Sequence, residues 1–222
     1  MKLSHPFLNN PIEWKDFCIN SFVIENSKML REFSKEILEQ ERGLPGRFVL
    51  SDELDILDIS RNAEIVSDTL KIDTGSNKKI ITAIIKELSE IAINENYSDV
   101  VALYQAINST ISNVIFSSGK DIIFDDINDI SQILKLYNVR PDEEGLSLAE
   151  KVLLHMELCE KYLNKKLFVF FNLRSYFSRD ELNTLFQDIV YRKYNVLLVE
   201  RYDYTALSLE QKRIIDIDLC EI

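Results

Sequence analysis

The predicted fold depends most on KKLFVFFN, residues 165–172. Its apolar run begins at Leu167 and is too short for a buried helix. The run consists of the aliphatic and aromatic side chains that a strand prefers when both of its faces are covered. The pattern therefore predicts a central strand.

A helix and a second strand follow this run. Ser178 stands three residues before Glu181, the spacing of a capping box that opens a helix. The apolar side chains of this helix fall on one face, at Leu182, Leu185, Phe186 and Ile189. A second apolar run, VLLV at 196–199, comes next. A strand, a helix and a strand of these lengths form a βαβ crossover, which predicts a parallel sheet buried on both faces.

Further strands are predicted on either side of this unit. SFVI at 21–24 has the composition of a strand, and Asn26 or Ser27 can cap the helix after it. Short apolar segments at 48–50 and 65–66 are also predicted strands, separated by the acidic residues 52–58. The tail, 213–219, partly alternates between apolar and polar residues, which favours a strand at a sheet edge.

The periodicity between residues 74 and 160 is that of amphipathic helices. Four helices are predicted, with apolar faces within 80–91, 100–115, 130–137 and 152–162. The second is expected to end at Gly119, and the third to begin after Asp126 or Asn128 and to end before Asn138. A second capping box, formed by Ser147 and Glu150, opens the fourth.

A chain of 222 residues can form one domain that carries a large insertion. We therefore predict a discontinuous α/β head domain at 1–73 and 161–222. The α-helical leg domain occupies 74–160.

The charge distribution limits the classes of partner. The net charge of −11 argues against a generally basic surface for nucleic acid. The acidic excess lies in the first 160 residues, whereas residues 161–222 are nearly neutral. Contact with an anionic partner must therefore be local, or assisted by a bound cation.

The sequence contains no basic and apolar leader and no run long enough to cross a bilayer, so we expect a cytoplasmic protein without a membrane partner. Three isolated cysteines, Cys18, Cys159 and Cys220, form no CxxC pattern. They predict small buried apolar residues in a reducing compartment, without a disulfide framework or zinc site. Of the two histidines, His5 falls near a terminus expected to be mobile, and His155 is expected to be a packed helix residue.

A nucleotide site is not expected at the first strand-to-helix turn. That turn, Glu25 to Lys28, has no glycine to let backbone N–H groups wrap a phosphate, and Glu25 would repel one. Asn172 stands where an ATPase needs a charged ligand for magnesium. The segment from Gly75 to Lys79 has the composition of a phosphate loop but not its spacing, and it favours a turn that begins a helix.

Charged residues cluster between the second and third predicted helices. The acidic members are Asp121, Asp125, Asp126 and Asp129. Several oxygen ligands on one bendable segment suit a hard cation such as calcium, but the same residues are also common as solvated helix caps. The basic residues nearby are Lys120, Lys135 and Arg140. They can contact a phosphate backbone or be ordinary surface cations.

The order of these elements resembles the CRISPR-associated adaptation proteins of type II-A systems, the Csn2 family. The stretches that carry the resemblance are 71–88, 165–172, 178–182 and 195–200, together with Leu8 and Pro11-Ile12. The resemblance implies an α/β head related to P-loop NTPases without a nucleotide site, and a helical leg inserted into it. It also implies a homotetrameric ring that binds calcium and the ends of double-stranded DNA without cutting them. Such proteins act in spacer acquisition beside the CRISPR integrase proteins and the RNA-guided nuclease.

The resemblance also implies roles for particular residues. Lys135 and Arg140 fall where the family has basic residues. Asp121, Asp125 and Asp126 fall in its acidic calcium-binding region. The resulting hypothesis is a clamp on DNA ends that is not an enzyme. Two alternatives are a metal-dependent nuclease that uses these three aspartates, and a protein-binding scaffold of the adaptation complex.

Overall fold

The computed structural model describes residues 1–14 and 18–222. The chain forms two compact units, one of residues 1–74 and 143–222 and one of residues 75–142. The strands are β1 (Lys2–Ser4), β2 (Ile12–Glu13), β3 (Ile19–Ile24), β4 (Val49–Asp52), β5 (Asp55–Leu57), β6 (Ala63–Val66), β7 (Leu167–Phe171), β8 (Asn195–Glu200) and β9 (Glu210–Ile215). The helices are α1 (Ser27–Glu41), α2 (Ile59–Asn62), α3 (Lys78–Glu95), α4 (Tyr97–Ser118), α5 (Ile130–Leu136), α6 (Leu148–Leu163) and α7 (Arg179–Tyr191).

The α/β unit is built on a parallel sheet of order β6-β7-β8-β3-β9. Every residue of β7 is buried, and its register with β8 runs from Leu167 opposite Asn195 to Phe171 opposite Val199. The capping box of Ser178 and Glu181 opens α7, the helix that joins these two strands. The predicted α/β class, central strand and crossover are confirmed. β9 lies at the sheet edge, as predicted for the tail, but begins at Glu210 and ends at Ile215.

A second sheet, antiparallel and of order β2-β1-β4-β5, was not predicted. The acidic stretch 52–58 was expected only to separate two strands. Instead Glu53 adopts a φ of 53°, and the chain turns so that Asp52 pairs with Asp55. This left-handed turn forms a hairpin without glycine, and no composition signal marks it.

The N-terminal segment is ordered by the same sheet, contrary to the expectation of a mobile terminus. β1 lies between β2 and β4, and Leu3 is fully buried. The His5 ring is buried with its centroid 4.2 Å from that of Phe48. His5 is therefore a core residue, packed among aromatic rings.

The helical unit contains α3, α4 and α5, and α3 contacts both of the others. Asn77 caps α3, since its side chain accepts hydrogen bonds from the backbone N–H groups of Lys79 and Ile80. This confirms the prediction that the segment after Gly75 begins a helix. α4 ends at Gly119 with a φ of +64°, as predicted.

The third predicted helix, α5, is shorter than its apolar pattern. Asp129, and neither Asp126 nor Asn128, is its N-cap. Asn138 follows the helix with a φ of 54°, the left-handed conformation expected there. In the structure this helix begins at Ile130, later than predicted, and ends before Asn138 as predicted.

The fourth predicted helix, α6, lies in the α/β unit, so the helical unit ends at residue 142, whereas the prediction placed its end at 160. Val152 and Met156 of α6 are fully buried, and α6 contacts α7. An apolar helix face has the same periodicity whichever unit it packs against, and this explains the difference. The chain leaves and re-enters the α/β unit at Thr74 and Glu143, which are hydrogen-bonded to each other.

The cysteines differ in burial. Cys159 is buried, but Cys18 is only half-buried and Cys220 is exposed, so the prediction of three buried residues was wrong for two of them. In the part of the chain that the structure describes, no helix has the length and apolar character needed to cross a membrane.

Candidate nucleic-acid and metal sites

The predicted calcium ligands lie on the segment that connects α4 to α5. Asp121, Asp125 and Asp126 are exposed there, outside regular secondary structure. The segment is fixed to α4 by Asn108, whose Nδ2 donates to the carbonyl of Ile127 at 3.2 Å and whose Oδ1 accepts from the N–H of Ile127 at 3.0 Å. The structure therefore holds the segment at one end and presents its carboxylates to solvent.

Asp129 has a different role from the other three aspartates. Its Oδ1 accepts from the backbone N–H of Ser131 at 2.8 Å, and its Oδ2 accepts from the Ser131 hydroxyl at 2.6 Å. These hydrogen bonds from Ser131, and to a smaller degree the charge of Lys135, lower the pKa of Asp129. Both carboxylate oxygens serve the N-cap of α5, so of the two roles left open by the sequence, the structure favours the cap here.

The aspartate side chains do not converge on one point. Within residues 1–14 and 18–222, one group of three or more acidic, histidine or cysteine side chains has its ligand atoms close enough to hold a metal ion, and it lies elsewhere. The acidic segment thus supplies the oxygen atoms that calcium prefers, but not a preformed cage of them.

The predicted DNA-binding residues are exposed in the same helical unit. Lys135 lies in the last turn of α5, and Arg140 follows that helix. Lys120 is exposed directly before the acidic segment, and its backbone N–H donates to the Ser118 hydroxyl at 3.2 Å. None of these three side chains forms an ion pair with another described residue. The charge of Lys135 acts on Asp129 at longer range, and all three exposed side chains can still contact an external anion.

Large apolar side chains are also exposed on the helical unit. Phe116 and Ile123 are 88% and 97% exposed, and Leu136 and Tyr137 are 81% and 78% exposed. Single exposed apolar residues are ordinary, and such residues mark a surface covered by a partner where they form one contiguous patch.

The turn that precedes α1 satisfies its own helix N-terminus. The Asn26 side chain accepts from the backbone N–H groups of Lys28 and Met29, both at 3.1 Å. Asn26 also donates through Nδ2 to the carbonyl of Ile217 at 2.8 Å. These are N–H groups of the kind that cradle a phosphate at a helix N-terminus, and here a side chain of the protein occupies them.

The carboxyl end of β8 carries a buried carboxyl group that the sequence analysis missed. Glu200 is 1% exposed and accepts from the backbone N–H of Arg174 at 3.1 Å. The Arg174 guanidinium instead pairs with Glu210 at 2.7 Å. Burial raises the pKa of Glu200 to about 7, which the hydrogen bond from Arg174 opposes only in part. The apolar run before Glu200 gave the only sequence signal, by predicting that this strand is covered on both faces.

A second group of side chains joins β6 to α6, and the sequence had predicted two of its members, His155 and Cys159, as packed residues. It comprises Glu64, His155 and Cys159, whose ligand atoms all lie within 4.8 Å of one another. His155 and Cys159 are four residues apart and therefore share a helix face, a spacing visible in the sequence. Glu64 was not predictable as their neighbour, because its position depends on how α6 packs.

The class of protein follows from the fold: an α/β protein with an all-parallel central sheet and a helical unit inserted between two strands of that sheet. A family model described as "CRISPR-associated protein (Cas_Csn2)" matches residues 40–219. The chain belongs to this family of CRISPR-associated proteins, and membership supports a role in CRISPR adaptation.

A solved structure similar to this chain is a putative ABC transporter ATP-binding protein from Pyrococcus furiosus. The two are 10% identical, and the match covers 91% of this chain and 88% of that chain with a TM-score of 0.38. A likeness of this size carries no argument about the function of this chain.

Proposed function

We propose that this protein binds the ends of double-stranded DNA, independently of sequence, as a homotetrameric ring during CRISPR spacer acquisition in antiviral defence. The observation that carries the proposal is the pair of exposed cations, Lys135 and Arg140, that have no ion-pair partner among the described residues of an otherwise acidic chain. Family membership supports the CRISPR context. The proposed protein partners are the integrase proteins and the RNA-guided nuclease of the same system.

Symmetry explains how an acidic chain can bind a polyanion. A closed ring repeats each surface once per subunit, so four copies of Lys135 and Arg140 face a common axis if the ring is oriented with this surface inward. Contacts to phosphate oxygens position a protein without reading bases. If all eight cations neutralise phosphates, the logarithm of the binding constant falls with the logarithm of salt with a slope of about −7.

The exposed apolar residues support assembly. Phe116, Ile123 and Leu136 lose contact with water if another subunit covers them, and each fully buried side chain of this size contributes about 1.5–3 kcal/mol. A second copy of the chain is the occupant we propose for this surface. Sedimentation analysis is expected to show a tetramer for the wild-type protein and smaller species for the double variant Phe116→Ser/Ile123→Ser. A wild-type monomer would contradict the ring.

Calcium is part of the proposal because Asp121, Asp125 and Asp126 supply hard oxygen ligands on one segment. Since their side chains are not gathered in the chain as described, binding requires the segment to close around the ion. We therefore expect calcium to slow amide hydrogen exchange within residues 120–128. Unchanged exchange at saturating calcium would remove these residues from the proposal.

The proposed function is not catalytic and uses no nucleotide. The self-capped turn at Asn26 supports the second part, because a phosphate would have to displace that side chain from the N–H groups of α1. The nuclease alternative needs closely set carboxylates, and it predicts cleavage of DNA with magnesium or manganese that is lost in Asp125→Ala. The scaffold alternative predicts protein complexes without salt-sensitive affinity for DNA.

A gel-shift comparison of linear and covalently closed duplexes of the same sequence tests the proposal. With calcium, we expect the protein to retain the linear duplex and to release the closed circle. A chelator is expected to weaken retention of the linear form. Equal retention of both forms would contradict binding through ends, and intact DNA recovered with magnesium and manganese would argue against the nuclease.

A further inference from the structure

The α/β unit contains a compact group of three side chains with different metal-binding chemistry. Glu64 lies on β6, and His155 and Cys159 lie one turn apart on α6. The His155 Nε2 atom is 3.3 Å from Glu64 Oε1, and the Cys159 Sγ atom is 3.7 Å from the same ring nitrogen. His155 and Cys159 are buried, and Glu64 is half-buried.

The two separations just given are close to those between neighbouring ligands of a tetrahedral transition metal. Zinc bonds of about 2.3 Å to sulfur and about 2.0–2.1 Å to nitrogen and oxygen place neighbouring ligand atoms about 3.3–3.6 Å apart. The nitrogen-to-oxygen and sulfur-to-nitrogen distances of the group are 3.3 Å and 3.7 Å. The sulfur and the carboxylate oxygen lie within 4.8 Å of each other. Because the sulfur is also 3.9 Å from His155 Nδ1, the ring has to turn and the three side chains have to draw together before they can share an ion.

Lys165 is a basic side chain next to Glu64, so its charge bears on whether the three side chains can bind a cation. Its Nζ donates to the carbonyl oxygens of Ser60 and Ala63 and lies 3.8 Å from Glu64 Oε2. The ammonium group is thus held toward one carboxylate oxygen by two carbonyl groups. The other oxygen, Oε1, faces the His155 ring, with His155 Nε2 at 3.3 Å.

We propose that Glu64, His155 and Cys159 bind one transition-metal ion of the zinc class, such as Zn²⁺ or Co²⁺. An imidazole, a thiolate and a carboxylate together favour such ions over calcium and magnesium, which prefer oxygen ligands alone. Binding forms a metal–sulfur bond and releases the thiol proton of Cys159 to solvent. Three protein ligands leave one tetrahedral position for water or an external ligand.

This site is separate from the calcium proposed for the helical unit, because its ligands belong to the other unit and differ in chemistry. A bound ion would link β6, at the edge of the parallel sheet, to α6. Anything that binds the folded state alone stabilises it by mass action. We therefore expect zinc to raise the melting temperature of the full-length protein.

Titration of the metal-free, full-length protein with Co²⁺ tests the site. A thiolate bound to Co²⁺ gives a charge-transfer band in the near ultraviolet, and tetrahedral coordination gives intense visible bands. We expect both to saturate at one ion per chain and to disappear when Zn²⁺ is added in excess. The bands should be lost in Cys159→Ser, and His155→Gln should weaken binding by about tenfold or more.

The double variant Cys18→Ser/Cys220→Ser is the matched control, since it keeps only the thiol of Cys159. It is expected to retain the bands at full intensity, and it gives an answer even if Cys159→Ser fails to fold. Two results would overturn the proposal: absence of a stoichiometric thiolate band in the wild-type protein, or loss of the band in the double variant.

Discussion

Replacing Glu200 with glutamine is expected to change the pH dependence of stability. The Glu200 carboxyl group is 1% exposed, and burial raises its pKa to about 7 from an ordinary value of 4.5. A carboxyl group whose pKa is raised by folding contributes stability that is fully present below the unfolded pKa, here 4.5. That contribution is lost as the pH rises through about 7, because the unfolded chain then ionises more readily than the folded one.

The size of the effect follows from the two pKa values. They differ by about 2.5, and each pH unit corresponds to about 1.4 kcal/mol, so ionisation of Glu200 lowers the free energy of unfolding by about 3 kcal/mol above pH 7. Glu200→Gln stays neutral, and its amide oxygen can still accept from the Arg174 N–H group. We therefore expect similar stability of the variant and the wild type near pH 4.5, and a variant more stable by up to about 3 kcal/mol at pH 8.

Urea unfolding at fixed protein concentration, measured at pH 5, 6, 7 and 8, checks this prediction. The matched control is Glu95→Gln, which removes an exposed carboxyl group at the end of α3 and should leave the pH profile unchanged. Two results would contradict a raised pKa for Glu200. One is a stability difference between Glu200→Gln and wild type that is the same at every pH. The other is a difference that favours the variant less at pH 8 than at pH 5.

Three further predictions concern other charged side chains. Hydrogen bonds from Arg47 lower the pKa of Glu36 to about 2. Glu36→Gln should therefore destabilise the protein at pH 7. The difference in the free energy of unfolding between variant and wild type should shrink as the pH falls from about 4.5 toward 2, as unfolding followed by circular dichroism will show. Asp129→Ala should lose about 1 kcal/mol of stability by uncapping α5, whereas Asp129→Asn should keep the cap, as chemical denaturation will show. Arg140→Ala should make the slope of the logarithm of the DNA-binding constant against the logarithm of salt less steep by up to about 3.6, because each of four subunits loses one phosphate contact. Lys28→Ala should leave this slope unchanged.

Much of the α/β unit could be predicted because its signals are local. A short apolar run such as 167–171 is compatible with few structures other than a strand covered on both faces. The capping boxes at Ser147 and Ser178 are recognisable because each depends on two residues only three positions apart. The antiparallel sheet was missed because its strands are two to four residues long, too short for a periodicity to emerge. Its existence depends on pairing between residues distant in sequence.

The candidate sites were predictable to a smaller extent for a related reason. The sequence located exposed charges such as Lys135 and Arg140, since hydrophilic residues beside a short helix remain in solvent. It did not show that Glu64 meets His155, because that contact requires α6 to pack against β6. The helical pattern did not determine which unit α6 packs against, and the structure places it in the α/β unit.

If DNA passes through a closed ring lined by Lys135 and Arg140, as proposed, the protein can load only over a free duplex end, and blocking the ends tests this. A linear duplex carries biotin at both ends, so that streptavidin can block them. In one order the protein binds the duplex in the presence of calcium before streptavidin is added. In the other order streptavidin is added first and the protein second. Protein that is loaded before the ends are blocked is expected to resist a high-salt wash. Blocked duplex should not load, and Lys135→Ala/Arg140→Ala should bind weakly in both orders while Lys28→Ala/Arg31→Ala behaves as wild type. The ring proposal would be contradicted if the protein bound equally in both orders and dissociated equally in the high-salt wash.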